Sequence, residues 1–392
     1  MTVNHMRDVF IVGIGQIKVG EHWQFSLRNI SSKAIQAARA DAGGLKPEAI
    51  YIGNLMASVA SHQANLSALV TDNVFLEGIE SLTVEAGEAS SASAFRLAYL
   101  AIASGWVDVA MALGIEKYTD LAGEGMDRPT NLVLDYDYEV FSGQTLTAQA
   151  GLLMKRYLYE YPAVDRFAFA GFPMVAHANA QNNPYALFRK PVNLETYRKA
   201  VQAASPLNIY DVAPYADGAA ALILCSEEYL SQSSHPKVRV IGSGVAIDTL
   251  AIHDRPDPLI FDAARISVEK ACSQAGILPG DVDLFELHDS YSIYAALALE
   301  AAGLAERGEG WKLAQNGSLS LTGKLPINTM GGMKARGYPL GASGAYQLVE
   351  AVLQLRGDAG KNQIPAAKLA MIQNLGGAAS TAVTHVLERM KD

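Results

Sequence analysis

Residues 84–92 of this 392-residue chain read VEAGEASSA, and residues 329–344 read TMGGMKARGYPLGASG. Both stretches are rich in small residues and lead into segments with the spacing of an amphipathic helix. The first stretch places Glu88 at the start of a predicted helix over 89–103, where a helix N-terminus stabilises a carboxylate by about 0.3–1 kcal/mol and lowers its basicity. The glycines of the second stretch allow the backbone to approach a ligand closely.

Strand-like and helical segments alternate around these stretches, and the alternation occurs twice. Each half of the chain contains a buried strand, a helix and a second strand, at 9–13, 32–42 and 49–52 and again at 238–242, 261–275 and 282–286. This spacing predicts right-handed βαβ units. Their repetition predicts an internal duplication with a break near 231–236.

The duplication divides the chain into an N-terminal half over 1–235 and a C-terminal half over 236–392. Between about 117 and 206 the strand pattern is lost, although helical segments such as 148–161 occur there. A segment of this length that interrupts an α/β half is usually functional, so we predict an insertion that forms a lid.

Composition excludes several classes of protein. Half of the residues are hydrophobic and the net charge is −9, so the chain lacks the basic surface that binds nucleic acid. Cys225 and Cys272 are too few for a disulfide framework and suit a reducing cytosol. The sequence shows neither a signal peptide nor a membrane-spanning run, and no histidine pair has metal-ligand spacing. We therefore predict a cytoplasmic protein without a metal.

Four motifs in the chain resemble those of the thiolase family, in the family's order. The stretch 84–92 resembles the nucleophile turn, and 329–344 resembles the Gly-His-Pro box. Residues 286–291, ELHDSY, resemble the His-Asp box of the sterol-carrier-protein type, and 374–377, NLGG, resemble the closing Cys-x-Gly motif. With weaker matches elsewhere, the resemblance covers nearly the whole chain.

The resemblance implies an α/β fold in which two similar halves stack as a five-layer αβαβα sandwich. It also implies that the insertion is the loop domain that covers CoA. Residues 179–190, NAQNNPYALFRK, resemble a phrase of that domain, with Leu187 where a glutamine is usual.

Three of the four reactive positions of the family are altered in this chain. Glu88 stands where the nucleophilic cysteine is expected, Tyr338 where the Gly-His-Pro histidine is expected, and Asn374 where the second cysteine is expected. A tyrosine titrates near ~10, so Tyr338 is better suited to donate a hydrogen bond, and is a base only if its pKa is lowered. Asn374 keeps a hydrogen-bonding amide but cannot carry a proton at neutral pH.

The remaining expected site residues follow from the same resemblance. His288 follows a predicted strand, so it should lie at a strand's carboxyl end, where α/β sheets bind ligands, and it would polarise the thioester oxygen. Tyr291 and Tyr294 are further candidate phenols near it. Ser343 and Gly344 would contact the pantetheine arm, and the Gly376 amide would hold an oxyanion. No cofactor is expected beyond the CoA thioester itself.

Three roles remain open for Glu88. It is a capping residue at an inactive site, a mimic of an acyl group in substrate binding, or a catalytic group. As a catalytic group it would attack a thioester as a carboxylate or serve as a general base.

Two functions are consistent with this pattern. The first is an enzyme that acts on acyl-CoA at a C–C bond without an acyl-cysteine, by an aldol or retro-aldol step or as a degenerate acyltransferase; decarboxylation is a variant. The pattern resembles thiolase-like aldolases of steroid side-chain breakdown, which use tyrosines and a small OB-fold partner. The second is a non-catalytic acyl-CoA-binding or scaffold subunit of a heteromeric complex, and a purely structural homodimer is a weaker alternative.

The resemblance also suggests the assembly. We expect a homodimer or a dimer of dimers, with an edge strand of the N-terminal half at the interface. An OB-fold or zinc-ribbon subunit is the expected partner if the chain works in a complex.

Overall fold

A computed structural model describes residues 6–121, 130–232 and 235–390. Its strands are β1 Val9–Gln16, β2 Ala49–Gly53, β3 Glu80–Val84, β4 Val109–Glu116, β5 Gln202–Ala204, β6 Leu207–Asn208, β7 Gly218–Ser226, β8 Val238–Ile247, β9 Leu284–Glu286, β10 Leu369–Gly376 and β11 Thr381–Arg389. Its helices are α1 Leu27–Asp41, α2 Ala57–Ala60, α3 Leu66–Asn73, α4 Ser90–Ala103, α5 Leu146–Glu160, α6 Gly171–Ala180, α7 Leu194–Arg198, α8 Asp262–Ala275, α9 Ser292–Ala301, α10 Gly310–Gln315 and α11 Ser343–Arg356.

Nine strands form one mixed sheet in the order β3-β2-β4-β7-β1-β8-β11-β10-β9. The order β2-β4-β7-β1 in the first half corresponds to β9-β10-β11-β8 in the second, as an internal duplication requires. The two parts meet where β1 pairs with β8, through Phe10 opposite Arg239 and Ile11 opposite Val238. The boundary between the halves at 235/236 stays a prediction.

The prediction of a sheet built from parallel βαβ units is only partly correct. β2 runs parallel to β3 and β4, and β9 runs parallel to β10. β7 and β11, however, are antiparallel to both of their neighbours. β11 follows β10 through a tight turn, and β7 returns from the long excursion after β4, so neither connection has to be a parallel crossover.

The helices complete five layers and confirm the predicted α/β sandwich. α4 and α11 pack against each other between the two parts of the sheet and share a core with β1, β4, β7 and β10. α1 and α3 cover the outer face of the first part. α8 packs on the outer face of the second part, in a core that α9 and α5 also join.

The chain leaves the sheet at Glu116, the end of β4, and returns at Gly218, the start of β7. This excursion contains α5, α6 and α7 and the short pair β5–β6. This excursion covers 117–217, so it continues about eleven residues beyond the predicted insertion over 117–206. The lid role of the insertion stays a prediction. Among the described residues, no helix has both the length and the apolar character that crossing a bilayer requires.

The two central helices approach each other closely at Gly344, near the start of α11. A Cβ added to Gly344 would lie 2.8 Å from the Ala92 amide nitrogen and 2.9 Å from the Ala92 Cβ on α4. Glycine at this position therefore lets the backbones of α4 and α11 come into contact. These two helices begin inside the stretches 84–92 and 329–344.

We predict that Gly344→Ala lowers the free energy of unfolding by about 1–3 kcal/mol, because the added methyl group must push α4 and α11 apart. Urea unfolding measures this change. Gly280→Ala is the matched control, since a Cβ at Gly280 meets no atom within 4 Å. Equal stabilities of the two variants would contradict the close helix contact.

Candidate active site

Glu88 lies in the turn between β3 and α4, and its side chain is buried, with 1% exposed. Its Oε1 accepts a hydrogen bond from the Tyr338 hydroxyl at 3.0 Å. Its Oε2 accepts one from the Gly377 amide at 2.6 Å. The carboxylate of the N-terminal half is thus held by two groups of the C-terminal half.

These bonds argue against the capping role for Glu88. The carboxylate uses its two oxygens on Tyr338 and Gly377, across the interface of the halves, rather than on the first-turn amides of α4. The capping position itself is Ala89, and no side chain caps the helix there.

Burial raises the pKa of Glu88 above its ordinary value of 4.5, and this outweighs the amides of Gly377 and of Glu88 itself and the Tyr338 hydroxyl, which lower it. The expectation that the helix N-terminus would make this carboxylate less basic was wrong. The sequence shows the helix start but not the loss of water around the side chain. Glu88 binds a proton more tightly than an exposed glutamate, which suits a general base.

Tyr338 is buried and its backbone is fixed on both sides. Its amide donates to the Pro214 carbonyl at 2.9 Å, and its carbonyl accepts from the Tyr118 hydroxyl at 2.9 Å. Burial, followed by the charge of Glu88, raises the pKa of Tyr338 well above 10. The phenol is therefore neutral and donates to Glu88, so the lowered pKa that a tyrosine base would require is not found.

His288 directly follows Leu287 after β9, at the carboxyl end of the strand as predicted. Its Nδ1 accepts the Leu375 amide proton at 3.2 Å, so the ring proton is on Nε2 and is donated to Ser290 Oγ at 2.8 Å. Burial, with a smaller effect of Arg336, lowers the pKa of His288 to about 3. The ring meets that of Tyr338 edge-on, with 5.9 Å between centroids. His288 is thus a neutral N–H donor beside Tyr338.

The amide that faces Glu88 belongs to Gly377, whereas the sequence indicated Gly376. Gly376 instead packs its backbone against the turn before Glu88, since a Cβ there would lie 2.6 Å from the Ala86 carbonyl oxygen. The pair of glycines after a strand was the available signal, but which amide points inward depends on the turn geometry. Gly377 has φ +57°, in the left-handed region.

Asn374 is buried in β10 and donates from Nδ2 to Gln347 Oε1 at 2.6 Å. Gln347 lies on α11 and donates in turn to the carbonyls of Glu286 and Gln373. The structure thus joins Asn374 to the central helix rather than to the Glu88–Tyr338 pair. Its catalytic role stays a prediction.

Ser343 and Gly344 begin α11 inside the central layer. The Ser343 side chain is fully buried, and Gly344 contacts Ala92 as described above. The structure therefore gives Gly344 a packing role, and the predicted contact of both residues with pantetheine stays a prediction.

Tyr291 and Tyr294, predicted only as nearby phenols, lie in the same buried region. Their rings are 5.0 Å apart, and the Tyr291 hydroxyl shares a hydrogen bond of 3.0 Å with Thr147 Oγ1. Burial raises the pKa of both, and the charge of Glu88 adds to the effect. The carboxylate is therefore surrounded by neutral phenols.

A cavity of about 830 Å³ is lined in part by residues 212–215, and Glu88, His288 and Tyr338 do not line it. Tyr215 lines the cavity and also pairs with the Tyr338 backbone, so this segment separates the cavity from the buried groups. Arg189, Lys190 and Lys334 give the cavity a positive lining. Burial lowers the pKa of Lys334 to about 8, against the opposing charges of Asp211 and Asp289.

The described residues contain no group of three or more histidine, cysteine, aspartate or glutamate side chains placed to hold a metal ion.

Comparison with known proteins matches both halves of the chain to one family. Residues 9–228 match the thiolase N-terminal domain, and residues 244–389 match the thiolase C-terminal domain-like family. The chain is 39% identical to acetyl-CoA acetyltransferase of Methanothermobacter thermautotrophicus over 389 residues, 98% of this chain and 100% of the relative. It is 29% identical to human sterol carrier protein 2 over 395 residues, 97% of this chain and 72% of the relative.

The solved Ltp2-ChsH2(DUF35) aldolase has the same fold. Its TM-score is 0.84 at 22% sequence identity, with 99% of both chains covered. At this identity the likeness establishes the fold alone.

We predict that Glu88 makes stability fall with rising pH. A glutamate of the unfolded chain loses its proton near ~4.3, whereas the buried Glu88 keeps its proton to higher pH, so the folded state binds more protons in the window between. Urea unfolding of the protein and of Glu88→Gln should show the stability advantage of the parent shrinking as pH rises above the ordinary pKa of glutamate, ~4.3. Parallel pH profiles would contradict the raised pKa.

Proposed function

We propose that this chain, which belongs to the thiolase family, acts on an acyl-CoA thioester at a C–C bond by an aldol or retro-aldol step, with no acyl group carried by the protein. The single observation that carries the proposal is the buried Glu88 carboxylate, held by the Tyr338 hydroxyl and the Gly377 amide. The family resemblance puts Glu88 in the place of the nucleophilic cysteine. The relative named acetyl-CoA acetyltransferase leads us to propose an acyl-CoA substrate, and the structural neighbour named an aldolase leads us to propose the C–C step.

A carboxylate at this position favours base catalysis over acyl transfer. A thiolate forms a thioester with an acyl group, whereas a carboxylate would form a far more reactive anhydride. Glu88 also has both oxygens engaged by donors, which supports a proton acceptor of fixed orientation. Burial raises the pKa of Glu88, so the ionised carboxylate is a stronger base than an exposed glutamate.

In the cleavage direction the substrate is a β-hydroxyacyl-CoA. The β-hydroxyl proton passes to Glu88 by one of two routes. It is transferred directly, or it is transferred to the Tyr338 oxygen while the Tyr338 hydroxyl gives its own proton to Glu88. The O–H electron pair forms the carbonyl of the leaving aldehyde or ketone, the Cα–Cβ bond breaks, and its electrons move to the thioester oxygen as an enolate. The proton on Glu88 then returns to Cα, so the cycle is balanced without a cofactor.

His288 is the proposed donor to the enolate oxygen. Its Nε2–H now donates to Ser290 Oγ, and the thioester oxygen would replace that hydroxyl as acceptor. Because the imidazole pKa is about 3, the ring stays neutral and stabilises the enolate by a hydrogen bond without protonating it.

The proposed CoA site is the cavity behind the segment 212–215. Its volume suits a small-molecule ligand. Arg189, Lys190 and Lys334 line it, so a chain with a net charge of −9 still offers local positive charge to the phosphates of CoA.

A second candidate function is an acyl-CoA-binding subunit without catalysis. It is favoured by the complete enclosure of Glu88, His288 and Tyr338, none of which is more than 1% exposed. The segment 212–215 must move before a thioester in the cavity reaches them. The name of the structural neighbour, Ltp2-ChsH2(DUF35) aldolase, gives two components. We therefore propose that this chain also works with a partner, an OB-fold or zinc-ribbon subunit. We propose a homodimer as well.

We predict that the protein, with a partner subunit if one is needed, splits β-hydroxyacyl-CoA thioesters into acyl-CoA and an aldehyde or ketone. Tyr338→Phe and His288→Ala should each lower kcat by about a hundredfold or more, since each removes a proton-transfer or oxyanion group. Tyr159→Phe, on an exposed side chain, is the control.

Calorimetric acyl-CoA binding by the same variants separates the two functions. Unchanged binding with lost turnover supports the catalytic roles, and binding without turnover in every form supports the second candidate. Parent-like rates in Tyr338→Phe and His288→Ala would refute the assigned roles.

A further inference from the structure

The Gly377 amide reaches Glu88 from the turn between β10 and β11, and this turn is in an unfavourable conformation. Gly377 has φ +57°, and Ala379 has φ +59° although it carries a Cβ. A residue with a side chain in the left-handed region costs free energy, and it persists only where the surroundings hold it there. The turn therefore needs an external restraint.

The loop after β8 supplies that restraint. Arg255 Nη1 donates to the Ala378 carbonyl at 2.8 Å, and its Nε and Nη2 donate to the Thr249 carbonyl at 3.0 and 2.9 Å. The Asp248 amide donates to the Ser380 carbonyl at 2.8 Å. The Arg255 side chain is only 2% exposed, so a buried guanidinium ties this loop to the turn.

We propose that Arg255 is a positioning residue that holds the β10–β11 turn in the conformation in which the Gly377 amide points at Glu88. Its bond to Ala378 is one residue from that amide, and the planar fork of the guanidinium fixes both partners at once. The inference rests on the proposed function only in naming Glu88 as the base; the contacts themselves are independent of it.

The consequence concerns the proton affinity of Glu88. Among the groups that lower the pKa of Glu88 against the effect of burial, the Gly377 amide is the strongest. The other groups that act on Glu88 include Tyr338, which lowers the pKa, and Glu85, which raises it. Arg255 itself faces the charges of Asp248, Glu139 and Asp262 and the phenol of Tyr294. Losing the Gly377 bond would leave Glu88 protonated to higher pH.

Infrared titration of the carboxylic acid band tests this directly in the full-length protein. The spectrum of each variant minus that of the same variant with Glu88→Gln isolates the Glu88 proton. Arg255→Lys keeps the positive charge but loses the planar guanidinium that donates to two carbonyls at once. The midpoint, the pH at which half of Glu88 is protonated, should then rise by about one pH unit, because one hydrogen bond to a charged group has about that effect. Arg265→Lys, at an exposed side chain of α8, is the matched control and should keep the parent midpoint.

Ser380→Ala is the second variant, which decides the question if Arg255→Lys does not fold. Ser380 Oγ closes the same turn by donating to the Gly376 carbonyl at 3.0 Å, so its loss should move the midpoint in the same direction. An unshifted Glu88 midpoint in Arg255→Lys, or in Ser380→Ala when only that variant folds, would overturn the proposal.

The titration needs no substrate, so it separates this inference from the proposed function. A shifted midpoint in a protein without aldol activity would retain the positioning role and reject the function. Aldol activity with an unshifted Glu88 midpoint would retain the proposed function and reject the positioning role of Arg255.

Discussion

The site depends on one constraint, the burial of the Glu88 carboxylate between the two halves of the chain. A buried carboxylate is costly unless hydrogen bonds satisfy it, and here the donors, Tyr338 and Gly377, come from the opposite half. The halves must therefore dock in one register for the site to exist. The close contact of Gly344 with Ala92 joins the central helices of the two halves in that arrangement.

Burial favours the uncharged form of each group around Glu88. It keeps His288 and the phenols of Tyr291, Tyr294 and Tyr338 neutral, while it increases the proton affinity of Glu88. The site thus combines one basic group with several neutral donors. This arrangement suits a reaction in which negative charge moves from a hydroxyl to an enolate and back, because neutral donors stabilise the enolate oxygen by hydrogen bonds while Glu88 holds the proton that returns to Cα.

The sequence predicted the layers of the fold and the position of His288, because buried strands and helical periodicity are local signals. It also grouped Glu88, Tyr338 and His288, because motif order reports what the duplicated fold brings together. It did not predict the antiparallel β7 and β11, the inward amide of Gly377 or the partner of Asn374. These features, and the direction of the Glu88 pKa, follow from long-range packing and from the exclusion of water, which leave no pattern along the chain.

We propose that Glu88, a carboxylate, leaves this site without an acyl carrier on the protein. The most direct measurement is the rate at which the purified protein cleaves acetoacetyl-CoA with free CoA, a reaction that needs an acyl carrier on the protein. We expect no CoA-dependent cleavage above the uncatalysed background. Thiolysis at the ordinary turnover of an enzyme, retained through further purification, would contradict it.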